Sequence, residues 1–353
     1  MPEMMKAAVL YEPHDLRIEE LEQPECGPGE VKIQVIYNGL CGTDATEFTK
    51  GPMMVPLHHP HPGSGHVGPT VLGHEFIGRV VETGEGAQHL LGKRIACGAG
   101  VACGQCKMCQ VGRTNLCDSY YTLGLSTDGG LAEYVVAPAN ICFEIPESCS
   151  DEDAGLAQPL AVALHSVNRA EIRPGQQIAL LGFGAIGAFI LAALSNHDGE
   201  VIALDVDPDR LELAKKLGAS STVLLGRDES TESIRSLFPE GIEVVFETSG
   251  VYGGAARAIA LAALGGKVVL VGLNKTPQEL ILSDLVLREI NLVTTVAHVC
   301  STDIPAALEL LASRSLSGLL MERVIPLSVV VDQGFEPLAA GKATGKILVD
   351  PRL

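Results

Sequence analysis

Residues 178–187 read IALLGFGAIG, and residues 188–194 continue as AFILAAL, a pattern typical of a strand, a glycine turn and a helix. Gly182 would permit the tight turn, Gly184 would let a pyrophosphate approach the backbone, and Gly187 would let the helix pack close to its strand. The free amides at the start of such a helix attract phosphate charge. The turn therefore predicts a dinucleotide site that also includes Ala185 and Ile186.

The nature of the dinucleotide is indicated by Asp205, which ends a second apolar run about 20 residues beyond the turn. A carboxylate there bonds both hydroxyls of a ribose, which predicts NAD. NADP would require a neutral residue at that position, whereas Asp207 and Asp209 follow and would repel a 2′-phosphate. Arg210 is expected on the next helix, pointing to solvent, and we include it among the candidate cofactor-binding residues. A plain turn in another α/β domain is the alternative interpretation of the glycines.

Composition points to a soluble enzyme of two domains. The chain has 353 residues, of which 46% are hydrophobic and 19% charged. Its net charge of −18 is spread along the chain without a basic block, which argues against a nucleic acid partner. Residues 1–10 lack the apolar region of a signal peptide, and the uncharged stretch 178–196 is expected to form a buried strand and helix. We therefore expect a cytoplasmic protein with no membrane partner.

The pattern of apolar residues changes twice along the chain. Residues 1–155 predict short strands at 6–11, 16–21, 30–37, 76–82, 94–97 and 132–137, with long loops at 47–72 and 98–131. Residues 156–296 alternate helices with strands at 177–182, 200–206, 221–225, 242–248, 266–271 and 292–296. This alternation predicts a doubly wound parallel sheet. Residues 297–353 offer a helix at 304–313 and a last strand at 346–349, too few elements for a separate core, so we expect them to join the mainly β first domain.

Five of the ten cysteines lie between residues 97 and 117. Without a signal peptide, such a cluster favours a metal over disulfides. Four of them, Cys103, Cys106, Cys109 and Cys117, have the short spacing that tetrahedral zinc accepts in a structural site. An iron–sulfur cluster is the alternative, but its motif has three residues between the third and fourth cysteines and a proline after the fourth, whereas seven residues separate Cys109 from Cys117 and Asp118 follows.

A second set of metal-binding side chains is dispersed. Cys41 lies in the sequence GLCGTD, and His74 and Glu75 are adjacent in LGHE. Cysteine, histidine and a carboxylate are ligands that leave zinc one position open to a substrate. A lone cysteine or a lone histidine would more often be a residue of the hydrophobic core.

Taken together, these motifs resemble the medium-chain, zinc-dependent alcohol and polyol dehydrogenases. The resemblance covers nearly the whole chain, from residues 5–7 through the cysteine and histidine motifs and the glycine turn to Gly345-Lys346-Ile347. Within the family, the insert HPHPGSG at 59–65 and the stretch PLAVALH at 159–165 look most like 2,3-butanediol (acetoin) and sorbitol dehydrogenases. Threonine dehydrogenase is a nearby relative.

The resemblance implies a fold and a set of roles. The domain of residues 1–155 and 297–353 would be GroES-like and catalytic, and residues 156–296 would bind NAD. Cys41, His74 and Glu75 would hold a catalytic zinc, and the four clustered cysteines a structural one. Thr43 would bond the substrate oxygen and take its proton, while Asp44 would orient His74. The substrate would be a secondary alcohol, such as a vicinal diol, a polyol or a hydroxyketone, and the protein a homodimer or homotetramer with a contact near 292–299.

Two positions depart from the family pattern. Gln158 stands where the polyol relatives place a glutamate, and Thr46 stands where they place a histidine that passes the proton to solvent. Thr46 could relay a proton but could not store one near neutral pH. We hypothesise that a loop histidine supplies this function, the candidates being His58, His59, His61 and His66; a flexible polar loop is the alternative.

These departures also leave room for a noncatalytic NAD-binding member of the family or for a threonine dehydrogenase-like enzyme. A zinc-ribbon module that binds nucleic acid does not agree with the charge of the chain.

Overall fold

The computed structural model describes residues 2–227, 229–274 and 276–353. It divides into two compact units, one made of the residues up to Ala161 together with His298–Leu353, and one made of Val162–Ala297. The boundary between Ala161 and Val162 lies a few residues beyond the predicted domain boundary at 155. It falls inside a continuous helix, Ala157–Ala170. No helix in the described ranges has the length and apolar character needed to cross a membrane.

Up to residue 155, the described residues contain ten strands, of which six lie close to the predicted positions and four short ones were not predicted. In chain order they are β1 (Met4–Glu12), β2 (Asp15–Glu22), β3 (Glu30–Gly39), β4 (Thr70–Val71), β5 (Glu75–Thr83), β6 (Arg94–Cys97), β7 (Gly100–Val101), β8 (Tyr121–Thr122), β9 (Tyr134–Pro138) and β10 (Cys142–Glu144). Three helices accompany them, α1 (Gly42–Lys50), α2 (Lys107–Gln110) and α3 (Asp151–Ala154). β1 pairs with β2 and β4, and β3 pairs antiparallel with β5 and β9. Short 3-10 turns lie at Gln88–Leu90, Thr114–Leu116 and Ala139–Ile141.

The second unit contains the predicted parallel sheet. After α4 (Ala157–Ala170), its elements are β11 (Ile178–Leu181), α5 (Ala185–Ala193), β12 (Val201–Asp205), α6 (Pro208–Leu217), β13 (Ser221–Leu224), α7 (Thr231–Leu237), β14 (Ile242–Glu247), α8 (Gly254–Leu261), β15 (Ala262–Leu270), α9 (Leu282–Val286) and β16 (Asn291–Thr294). Within the described residues the six strands are all parallel, in the order β13-β12-β11-β14-β15-β16. This order places the switch point, where ligands bind in such sheets, between β11 and β14. The α/β class predicted from the sequence is confirmed.

The chain after residue 297 completes the first unit. It forms α10 (Cys300–Ser313), α11 (Ser317–Leu320), β17 (Met321–Pro326), α12 (Glu336–Ala339) and β18 (Lys346–Asp350), with a 3-10 turn at Leu327–Val329 and a π turn at Val331–Phe335. β18 pairs antiparallel with the end of β3. Asp153 of α3 also accepts hydrogen bonds from the amides of Leu316 and Ser317, at 2.8 and 2.7 Å. The tail thus extends the sheet of the N-terminal segment.

A buried core fixes where β3, β5 and β18 end relative to one another. Ile347 and Val349 of β18 share a cluster of buried side chains with Leu40, just beyond β3, and Leu72, just before β5. Burying one such side chain stabilises the fold by about 1.5–3 kcal/mol. Because the ends of these strands are held together, the polar residues at the ends also meet.

Candidate active site and metal centres

One group of metal-binding side chains, here called the open cluster, consists of Cys41, His74 and Glu75. Cys41 precedes α1, His74 precedes β5, and Glu75 is the first residue of β5, paired in register with Gly39 of β3. One ligand atom from each of the three residues lies within 4.8 Å of the others. His74 and Glu75 are buried, and Cys41 is half-buried. A thiolate, an imidazole and a carboxylate at this separation fit a zinc ion that keeps a position for substrate.

Asp44 links two members of the open cluster. Its Oδ2 accepts a hydrogen bond of 2.9 Å from the amide of Cys41, and its Oδ1 lies 3.1 Å from Nδ1 of His74. Burial lowers the pKa of His74, but the charge of Asp44 and its hydrogen bond outweigh burial and raise this pKa well above the ordinary value. With Nδ1 engaged, the Nε2 atom of His74 is left for a metal. This is the orientation that the family resemblance implied.

Lys346 is a partner of the open cluster that the sequence did not reveal. Its Nζ donates to Oε2 of Glu75 at 2.6 Å and to the carbonyl of Leu40 at 3.0 Å. The ammonium is buried, yet the charges of Glu75 and Cys41 raise its pKa against the lowering effect of burial. The signal in the sequence was a lysine at the head of the apolar strand Lys346–Asp350, because such a lysine needs a buried partner.

The second group, here called the cysteine lobe, consists of Cys103, Cys106, Cys109 and Cys117. Their sulfur atoms lie within 4.8 Å of one another. The amides of Cys103 and Ser119 donate to the sulfur of Cys117 at 3.2 and 3.3 Å. Backbone amides that bond the sulfur of Cys106 lower its pKa to about 6. Four sulfurs at this distance, held by amides, fit a closed zinc site.

The two threonines that we predicted as catalytic lie on α1. The Oγ1 of Thr43 is 3.7 Å from the sulfur of Cys41, beside the position of a metal. Thr46 donates its hydroxyl to the carbonyl of Gly42 at 2.7 Å. The hydroxyl of Thr46 is therefore engaged by the helix backbone, which leaves its predicted role as a relay untested.

Three of the four loop histidines, His58, His61 and His66, contact nearby side chains or amides. Nδ1 of His61 accepts the amide of Gly63 at 3.1 Å, and Nε2 of His66 lies 2.9 Å from Oγ1 of Thr70. Nε2 of His58 lies 3.8 Å from Glu12. These contacts give the loop a defined shape, and the relay hypothesis stays a hypothesis.

The glycine turn has the predicted geometry. Gly182 has φ of +91°, and a Cβ there would lie 2.7 Å from Cβ of Ser249. A Cβ on Gly187 would lie 2.5 Å from the carbonyl oxygen of Gly182, whereas one on Gly184 would meet open space. The turn, together with Ala185 and Ile186 at the start of α5, therefore presents bare backbone amides. Such amides suit a pyrophosphate.

Asp205 is buried at the end of β12 and bonds the glycine turn. Its Oδ2 accepts the amide of Phe183, and its Oδ1 accepts the amide of Asp207 at 2.9 Å. Arg210 lies on α6 as predicted, but it does not simply point to solvent. Its side chain lies 3.7 Å from Asp205 and 3.8 Å from Asp207, because both carboxylates face the first turn of the helix.

The sequence analysis missed a second turn beside the first. Glu247 ends β14, and its Oε1 accepts the amides of Ser249 and Gly250 at 3.0 and 3.1 Å. Thr248 donates its hydroxyl to the carbonyl of Gly182. The sequence Glu-Thr-Ser-Gly directly after a buried strand was the available signal. This turn braces the glycine turn at the switch point of the sheet.

Comparisons with known proteins agree with both units. Residues 27–147 match the family model described as alcohol dehydrogenase GroES-like domain, and residues 185–313 match zinc-binding dehydrogenase. The chain is 33% identical to (R,R)-butanediol dehydrogenase of Bacillus subtilis, over 98% of this chain and all of that protein. The chain belongs to the zinc-dependent medium-chain alcohol dehydrogenases.

A second relative and a solved structure support the assignment. A sorbitol dehydrogenase of Bacillus subtilis is 34% identical over 77% of this chain and 76% of its own. The crystal structure of 2R,3R-butanediol dehydrogenase from Bacillus subtilis superposes with a TM-score of 0.90 at 32% identity, covering 98% of this chain and 99% of that one. The predictions of an enzyme of this family, with zinc and NAD as cofactors, are confirmed.

Proposed function

We propose that this dehydrogenase transfers a hydride between NAD and a secondary alcohol with a neighbouring oxygen, such as a vicinal diol, a polyol or the corresponding hydroxyketone. The observation that carries the proposal is the open cluster, where a thiol, an imidazole and a carboxylate converge beside the hydroxyl of Thr43. Relatives named as butanediol and sorbitol dehydrogenases support the substrate class.

We assign the following roles to residues of the chain. Cys41, His74 and Glu75 would hold the catalytic zinc, which would supply a Lewis acid for the substrate oxygen, and bound NAD would supply the hydride acceptor. Thr43, whose Oγ1 lies 3.7 Å from the sulfur of Cys41, would bond the substrate hydroxyl and receive its proton. Asp44 fixes the ring of His74 and holds the amide of Cys41. The cysteine lobe would hold the structural zinc.

The cofactor residues would lie in the second unit, whose range of 156–296 we propose as the NAD-binding domain. The turn at Gly182 would bring the amides of Gly184, Ala185, Ile186 and Gly187 to the pyrophosphate. Asp205 would bind the ribose hydroxyls, and Arg210 would cover the ribose from α6. The carboxylates of Asp205 and Asp207 would repel a 2′-phosphate, so we expect NAD to be preferred to NADP.

We also propose a homo-oligomer in the cytoplasm. Within the described residues, β16 has a neighbouring strand on one side only. Leu292 on this strand, and Val286 and Leu287 just before it, have 40%, 73% and 82% of their surfaces exposed. An unpaired edge flanked by apolar side chains suits pairing with a second copy. The cysteines are free thiols, which suits a reducing compartment.

Zinc analysis with a substrate panel tests the function. Protein purified without added metal should contain about two zinc ions per chain, as one closed and one open site require. It should oxidise a diol or polyol with NAD, and the panel should include L-threonine and hydroxyketones. About one zinc per chain, with no activity after zinc is added, would favour a noncatalytic protein.

A further inference from the structure

Lys346 is the only buried lysine that the described residues contain, and it reaches the metal-binding end of the first unit from the last strand of the chain. The side chains of Lys346 and Glu75 are only 6% and 2% exposed. Burying an ammonium costs several kcal/mol unless it is paired and hydrogen-bonded. The burial of a lysine at this position therefore needs an explanation beyond packing.

The ammonium of Lys346 contacts both segments that carry the open cluster. One hydrogen bond reaches Glu75, and the other reaches the carbonyl of Leu40, the residue directly before Cys41. Asp44 makes the complementary connection, from the amide of Cys41 to the ring of His74. Together the two side chains connect every residue of the open cluster.

Gly39 shows that this arrangement is closely packed. A Cβ on Gly39 would lie 2.5 Å from Oε2 of Glu75 and 3.4 Å from Cδ of Lys346. Only glycine leaves room for the ion pair, because a side chain there would push Glu75 away from Lys346. The backbone of β3 is thus shaped around the ion pair.

Charge balance gives Lys346 a second role. Cys41, Glu75 and Asp44 each carry one negative charge when ionised, and a divalent ion neutralises two of these charges. The ammonium of Lys346 neutralises the remaining charge. Without it, a buried carboxylate would lack a counter-ion whether or not the metal is bound.

Resting on the proposed function, we propose that Lys346 is a positioning residue of the catalytic metal centre. It holds the Glu75 carboxylate and the peptide before Cys41 in place for a divalent cation and completes the neutrality of the site. Lys346 touches neither substrate nor cofactor in this role.

Zinc competition with a chelating dye tests the proposal on the full-length protein. We expect Lys346→Met to weaken zinc binding at the open cluster by about 10–100-fold, the usual effect of losing a residue that orients a ligand. The cysteine lobe of the same chain should bind zinc as before and provides an internal reference. Lys346→Arg, which keeps the charge, should recover most of the affinity, and Lys346→Gln, which keeps only a donor, should recover less.

Two further variants separate positioning from folding. Glu75→Gln removes the partner, so the loss caused by Lys346→Met should shrink when both changes are present. Lys267→Met removes a lysine of the second unit that bonds the carbonyl of Ala170, and it should leave zinc affinity unchanged. If Lys346→Met does not fold, the Arg and Gln variants and their combinations with Glu75→Gln carry the same test.

Unchanged or tighter zinc binding in Lys346→Met would overturn the proposal, because Lys346 would then only compete with the metal for Glu75. The proposed function would still stand if wild-type protein held about two zinc ions per chain. Wild-type protein without zinc at the open cluster would overturn both.

Discussion

The open cluster and the cysteine lobe differ in how the chain builds them. The lobe takes its four candidate ligands from a single short segment, Cys103 to Cys117, and the sulfurs of Cys103 and Cys117 accept amides from this segment and from Ser119 just beyond it. The open cluster takes its ligands from two segments, and its supports Asp44 and Lys346 come from a helix and from the last strand. The lobe is therefore a local structure, whereas the open cluster depends on the whole first unit.

Burial separates the two clusters further. In the lobe Cys103 is exposed, Cys106 and Cys109 are half-exposed and only Cys117 is buried, whereas in the open cluster only Cys41 is half-buried and His74, Glu75 and their supports are buried. In the lobe, a metal replaces the core that a polar loop cannot form. In the open cluster, the core is already present and orients the ligands. The lobe should thus govern stability, and the open cluster should govern chemistry.

The largest expected effect comes from Cys41→Ser. Loss of the thiolate should remove zinc from the open cluster and lower kcat/KM by roughly 10³-fold, since a catalytic metal contributes several kcal/mol. The zinc content measured by metal analysis should fall from about two ions per chain to about one, and the melting curve should be unchanged. A large loss of stability would contradict the division between the clusters.

The matching change in the lobe is Cys106→Ser. We expect it to remove the other zinc and to destabilise the protein, with the thermal midpoint falling by about 2–4 °C for each kcal/mol lost. Below that midpoint, kcat per zinc ion at the open cluster should stay near the wild-type value. Calorimetry and steady-state kinetics on the same preparation give both numbers, and a selective loss of kcat would break the comparison.

Asp44→Asn tests how far the open cluster relies on its supports. Replacing the carboxylate should weaken zinc binding by about 10–100-fold, because His74 loses the partner that orients its ring. Zinc affinity at the cysteine lobe is the control. Equal loss at both clusters would show a global defect.

We expect Asp44→Asn also to change how the stability of the metal-free protein depends on pH. In metal-free protein the raised pKa of His74 increases the free energy of unfolding. This contribution is complete at pH values below the ordinary histidine pKa of about 6.5, and it is lost as pH rises through the raised pKa of the folded state. Denaturant unfolding of metal-free wild type should therefore show this loss above about pH 6.5. Asp44→Asn should remove much of that slope, and an unchanged slope would contradict the role of Asp44.

Asp205→Asn affects neither metal cluster and tests the second unit. The KM for NAD should rise by about 10-fold, the cost of one charge-assisted hydrogen bond, and discrimination against NADP should relax. Zinc content should remain about two ions per chain. An unchanged KM for NAD would remove Asp205 from the cofactor site.

The smallest expected effect comes from Thr46→Ala. Thr46 lies next to the open cluster in sequence, but its hydroxyl bonds the carbonyl of Gly42. We expect kcat to change by less than about 3-fold, as for a surface substitution. A lost limb in the pH–rate profile would instead restore the relay role, and Ala variants of the loop histidines would then show whether they share it.

Local sequence patterns were sufficient to predict much of the structure of this molecule. The glycine turn, the four cysteines and the α6 helix each depend on residues close in sequence, so spacing alone predicts them. α6 illustrates this, since Asp207 caps its start and Gly218 ends it with φ of 107°. The predicted strands lie within a few residues of their observed positions, because their apolar pattern follows burial, whereas β4, β7, β8, β10 and β17 were not predicted. Strand ends were less accurate, since pairing and bulges decide where a ladder stops.

Contacts between distant segments were beyond the reach of patterns. Nothing in the sequence near Glu75 indicates that a lysine 271 residues away lies against its carboxylate. The brace from Thr248 to the carbonyl of Gly182 was missed for the same reason.

The sequence by itself determined the class of fold and predicted the candidate metal-binding side chains and the acidic residue proposed to favour NAD, because these depend on residue type and spacing. Only the tertiary structure decided how the open cluster is supported. Its supports arrive through strand pairing and core packing, and a buried charge finds its partner only when the strands that carry the two residues are side by side.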